Sequence, residues 1–108
     1  MDDETELRVA RNETIFRDVN EAIQSGRWPG EKDAAPFRCE CGLFGCTRLL
    51  ELPIAEYERI RAHPRRFLVA VDHNLPEAET VVEQHPTYLV IEKQGRAGEV
   101  AEATDPRR

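Results

Sequence analysis

From about Glu6 to Ser25 the apolar positions recur at helical spacing. Phe16, Val19 and Ile23 share one face with Asn12, and Ile15 and Ala22 widen the stripe. The period predicts an amphipathic N-terminal helix packed on the rest of the chain, or alternatively a helix that docks a partner. Acids from Asp2 to Glu6 suit its positive end, and Gly26 and Pro29 stop it. Residues 26–36 are rich in Pro and Gly and predict a loop. The one tryptophan, Trp28, falls in that loop, either as a lid over the core or as a binding anchor.

The period then changes to two. Phe37, Cys39 and Cys41 alternate with Arg38 and Glu40, which predicts a strand. Gly42 and Gly45 bracket Leu43-Phe44 in a reversal, and Thr47 to Leu52 supplies a second extended run, so the stretch reads as a hairpin. Pro53 opens a short helix over 53–62 carrying Ile54, Tyr57 and Ile60, and His63-Pro64 ends it. Phe67 to Val71 is a buried strand, followed by a turn at Asp72-His73-Asn74. Residues 76–91 admit a short helix starting at Pro76. The β-prone runs Thr-Val-Val and Tyr-Leu-Val-Ile favour instead a hairpin of Thr80–Gln84 and Tyr88–Lys93, turning at His85-Pro86-Thr87. From Gln94 the chain is small and polar, which predicts a surface segment and then a loose end. The expected fold is α+β: a single domain over 1–108, with 1–5 and 103–108 loose. It comprises an N-terminal helix, an antiparallel sheet of about four to five strands and one short central helix.

Charge narrows the partners. The net charge is −6 and the pI about 5.1. Duplex binding draws on a basic surface, and the only basic clusters are Arg59/Arg61/Arg65/Arg66 and Arg107-Arg108, so nucleic acid is disfavoured. A protein partner with a basic or apolar patch fits better, and Phe16 and Trp28 are the candidate partner-binding residues. No apolar run approaches the roughly 18 residues of a membrane span. The acidic start is unlike a secretory leader, so a cytoplasmic location is expected.

The chemistry lies in residues 39–46. All three cysteines, Cys39, Cys41 and Cys46, stand there in a C-x-C-G-x3-C pattern. Three cysteines cannot all pair within one chain, and a reducing compartment disfavours disulfides, so the cluster points to metal. Cys-x-Cys on one strand puts two side chains on the same face, and a glycine-flanked reversal returns the third. Tetrahedral zinc wants a fourth donor. His73, at the end of a strand and beside a turn, is the first candidate, with Asp72 or a water as fallbacks. His63 and His85 each precede a proline at the end of an element and read as exposed. The expected cofactor is zinc, and its four ligands are Cys39, Cys41, Cys46 and His73.

One resemblance runs over nearly the whole chain. Arg11-Asn12-Glu13, Phe16-Arg17, Val19-Asn20-Glu21, Cys39-Glu40-Cys41, Cys46-Thr47, Glu56-Tyr57, Arg66-Phe67, His73, Val81-Val82-Glu83 and Tyr88 to Lys93 resemble a family of small actinobacterial proteins with no assigned activity. The resemblance implies a single domain. SWIM zinc fingers and CDGSH iron–sulfur proteins share parts of the cysteine pattern. Arg48 stands where the former need His, and the Cys-Asp-Gly-Ser-His run of the latter is absent. No Ser/His/Asp order, phosphate-binding glycine loop or H-E-x-x-H occurs. The reading is a zinc-stabilised interaction or regulatory module. The alternatives are a thiol-based redox or metal sensor, a small metal-dependent enzyme using Glu40 or Glu51 as base, and a nucleic-acid binder.

Overall fold

In the computed structural model, residues 3–26, 34–41 and 46–107 are described, without the side chains of 3, 5, 6 and 25. Helix α1 (Asp3–Ser25) leads to β1 (Ala34–Arg38) and β2 (Leu49–Pro53), then α2 (Ile54–Arg61), β3 (Arg66–Ala70), β4 (Glu79–Gln84), β5 (Tyr88–Lys93) and α3 (Gly95–Ala103). The class is α+β, as expected. The five antiparallel strands are divided between two sheets: β1 with β2, and a second sheet in the order β3-β5-β4. The hairpin of β4 and β5 forms where the β-branched runs place it, and the helix alternative for that region is wrong. A bulge between Val81 and Glu83 interrupts β4, which is an edge of its sheet.

The two sheets are joined by the chain that leaves β1. Glu40 N–H donates to Leu68 O at 2.7 Å, so this segment runs on beside β3. The apolar core lies here: Phe37, Leu50, Leu52, Tyr57, Ile60, Phe67, Leu68, Val90 and Ile91 are all buried. Phe37 and Tyr57 stack with ring centroids 4.3 Å apart.

Four expectations need correction. Residues 34–36 were expected in a loop but belong to β1, where Ala34, Ala35 and Pro36 pair with Pro53, Leu52 and Glu51. The segment after Gln94 forms α3, whose Ala97 and Ala101 are buried; small residues there allow close packing rather than a surface coil. The end expected to be loose is tied down: Asp105 is buried and accepts a hydrogen bond from Arg61 Nη2, and Arg107 pairs with Glu58 and Glu21.

The largest correction concerns α1. Its expected apolar stripe faces outward in part: Ile15 is 56% exposed, Val19 38%, and Phe16 and Ile23 are only half-buried. The buried stripe is Ala10, Glu13, Thr14, Arg17 and Asn20, which has the same helical spacing but is mostly polar. Each long polar group finds a partner inside. Arg17 donates to Pro64 O (2.8 Å) and Ala101 O (2.9 Å), with its guanidinium 4.7 Å from the Phe67 ring centroid. Glu13 and Glu79 both lie 2.8 Å from Lys93 Nζ, all three wholly buried.

Candidate metal centre

The four expected ligands converge. Cys39, Cys41, Cys46 and His73 each offer one donor atom, and the four atoms lie within 4.8 Å of one another. Cys39 and Cys41 are buried, while Cys46 and His73 are half-buried; none of the cysteines is in a disulfide. Cys39 and Cys41 stand two residues apart just past β1, and Cys46 stands just ahead of β2. Cys39 N–H donates to Arg48 O at 3.0 Å, which keeps the two arms together beyond the end of the ladder. The reversal at 42–45 lies outside the described residues, as does Trp28.

His73 arrives by a tight turn. Its N–H donates to Ala70 O at 3.0 Å, and Asp72 takes a positive φ of 69°, a conformation that aspartate tolerates better than most residues. This turn, at the end of β3, brings the imidazole to the cluster.

His73 Nδ1 lies 3.6 Å from Cys39 Sγ and 3.5 Å from Cys46 Sγ. Two sulfurs at similar reach of one imidazole nitrogen are also what a shared ion would give. Around a tetrahedral centre with metal–sulfur bonds of about 2.3 Å and a metal–nitrogen bond of about 2.0 Å, the sulfur–nitrogen edges are about 3.5 Å. The two sulfur–nitrogen distances and the donor chemistry suit a metal site of three cysteines and one histidine. Zinc in such a centre would be held by the three thiolates and the imidazole.

The surroundings support thiolate. Ala70 N–H donates to Cys39 Sγ at 3.1 Å, the kind of contact that orients a metal ligand from behind. A hydrogen bond from the Cys41 side chain, together with the Ala70 N–H, holds the Cys39 thiol below its ordinary range, although burial pushes the other way.

Alternation puts Glu40 on the side opposite the cysteines, and the metal-enzyme alternative names it as a base. It is completely buried. Oε2 accepts from Tyr57 Oη (2.7 Å) and Asn20 Nδ2 (2.8 Å), and Oε1 accepts from Leu68 N–H (2.8 Å). Burial pushes its carboxyl up, and the three donors pull it back. With both oxygens engaged, Glu40 braces the cluster against α1, α2 and β3, and the general-base role weighed for it finds no support. Its only sequence signal is its position between two ligands. Glu51 is exposed on β2.

His63 is exposed. His85 stacks on Tyr88 at 4.3 Å and contacts Glu83 at 2.9 Å, and neither joins the cluster. Phe16, the other expected partner-binding residue, is half-buried beneath the Arg38 guanidinium. A cleft elsewhere is lined by Arg61, Ala62, Pro64, Glu99, Glu102 and Arg107. It holds no cluster of possible metal-binding groups among the described residues.

The four donors thus define a small α+β protein with a candidate metal centre. No protein-family model, curated protein or solved structure matches the chain, so its likeness to other proteins adds nothing to this description.

Proposed function

We propose that this chain is a zinc-stabilised interaction or regulatory module of the cytoplasm, in which the metal serves structure rather than turnover. The observation that carries the reading is the convergence of four protein donors, Cys39, Cys41, Cys46 and His73. Structural zinc sites are closed in this way, whereas catalytic ones keep a position for water. Three thiols at ligating distance with no disulfide suit a reducing compartment. No helix among the described residues is long and apolar enough to cross a membrane.

The interaction half of the reading rests on α1, which leaves Ile15 and Val19 exposed beside Phe16. With a net charge of −6, the chain suits a protein partner bearing a basic or apolar patch rather than nucleic acid.

Metal analysis of the purified protein, together with its visible spectrum, tests the proposal. One equivalent of zinc and no colour are expected. A charge-transfer spectrum from iron, or protein free of metal after refolding in excess zinc, would overturn it. Retardation of labelled DNA at moderate salt would count against the partner assignment.

A further inference from the structure

Arg38 stands where β1 ends, and it connects the cysteine cluster to α1. Its backbone is fixed twice by one side chain: Arg38 N–H donates to Asn20 Oδ1 (2.7 Å), and Arg38 O accepts from Asn20 Nδ2 (2.8 Å). The guanidinium is held differently. Its Cζ lies 4.7 Å from the centre of the Phe16 ring, Nη2 donates to the carbonyl of Cys46 (3.2 Å), and Nε is buried without a hydrogen-bond partner. Among the described residues, the Cys46 carbonyl is therefore the one hydrogen-bonded anchor of the group that covers Phe16.

Cys46 itself lies outside the ladder, since the β1–β2 pairing ends at Arg38 and Leu49. Among the described residues its polar contacts are two: Sγ with His73 Nδ1, and the carbonyl with Arg38. A metal shared with Cys39, Cys41 and His73 would fix Cys46 in place. Without the metal, Cys46 would keep only the long Sγ–His73 Nδ1 contact and the Arg38 bond to its carbonyl among these polar contacts.

We infer that metal occupancy controls the cover over Phe16. The metal holds Cys46, the Cys46 carbonyl holds Arg38, and Arg38 shields the ring. Loss of the metal releases Cys46, frees the guanidinium and exposes Phe16. The inference rests on the metal-centre reading above. Its consequence is local and chemical. Phe16 lies next to Ile15 and one turn from Val19, which are already 56% and 38% exposed, so uncovering it joins separate side chains into one apolar patch on α1. A cation over an aromatic face at a partly exposed site is a weak contact, which suits a reversible cover.

The test uses the full chain, zinc-loaded and then stripped with EDTA, followed by NMR with a soluble nitroxide. Ring protons of Phe16 report its exposure, the Ile15 methyl is the exposed reference, and amide protection across β3 and β5 reports the fold. In the zinc form, the Phe16 ring is shielded and shows a nuclear Overhauser contact with the Arg38 side chain. On stripping, that contact is lost and nitroxide relaxation of the ring rises towards that of Ile15, while β3–β5 protection persists. Zinc-loaded Arg38→Ala gives the same exposed ring with its zinc retained.

The inference is overturned if the ring stays shielded in the stripped chain or in Arg38→Ala. It is also overturned if ring exposure and loss of β3–β5 protection occur together, because the exposure is then only unfolding. A chain that never binds zinc removes the metal-centre reading and this inference with it. A chain that binds zinc but keeps Phe16 shielded on stripping removes this inference alone.

Discussion

Single residues decide the cluster. Cys39→Ser, Cys41→Ser and Cys46→Ser each remove a thiolate, and metal binding contributes directly to folding free energy. Each variant is expected to lose its zinc and melt at lower temperature by circular dichroism; parent-like melting at sub-stoichiometric metal would exclude a structural role. His73→Ala is expected to weaken zinc binding by more than about 100-fold in chelator competition, since loss of a mere supporting contact costs about 10- to 100-fold. His63→Ala and His85→Ala should bind as the parent does. The grouping of these four candidate ligands was legible because cysteine spacing and a strand-end histidine are chemical signals that survive uncertainty about the fold. Glu40 was not legible. Alternation assigns it to the opposite face, and only three-dimensional packing shows that this face is covered as well. Glu13 is a second such case. Burial, chiefly, pushes its carboxyl to about 8; Lys93 pulls it down and Glu79 pushes it up. Folding therefore takes up a proton at pH values between the ordinary 4.5 and about 8, and stability falls as pH rises through that window. Glu13→Gln should flatten this limb in denaturant titrations across pH, and an unchanged slope would contradict the assignment.

Elements were legible where their period was unambiguous. The central helix, β3 and the hairpin of β4 and β5 form within a residue or two of the expected bounds, because apolar runs and proline punctuation mark them. α1 exists where the period puts it, yet it turns a polar stripe inward. Hydrophobic spacing identifies a buried face only when burial is apolar, and here Arg17, Asn20 and Glu13 are stabilised by specific partners. α3 was missed because Gly, Ala and Glu give a weak pattern; its packing depends on α1, which lies against it. An ionic joint ties α2 to α1 and to the segment after α3. Arg61 is wholly buried, pairing with Glu21 through Nε and with Asp105 through Nη2. Removing one member of a buried pair leaves an uncompensated charge, so Arg61→Ala should cost about 3–5 kcal/mol in urea unfolding. Arg59 also pairs with two acids, Glu56 and Glu83, but it is 44% exposed. Solvent screens that pair, and Arg59→Ala should cost less than about 1 kcal/mol. Equal losses in the two variants would contradict the ionic account of the joint.

At the scale of the whole molecule, one short segment joins the parts. Residues 38–41 leave β1, run beside β3, supply two candidate ligands and, through Asn20 and Tyr57, connect to α1 and α2. A domain of 108 residues buries only about two thirds of its unfolded surface, so a metal at this junction would add stability where both sheets meet. The central claim is that Cys39, Cys41, Cys46 and His73 hold one zinc between them. Zinc-edge X-ray absorption of the loaded protein measures this most directly. The account predicts three sulfur neighbours at about 2.3 Å and one nitrogen at about 2.0 Å, with the nitrogen lost or replaced by oxygen in His73→Ala. A first shell of nitrogen and oxygen only, or a His73→Ala spectrum identical to the parent's, would contradict it.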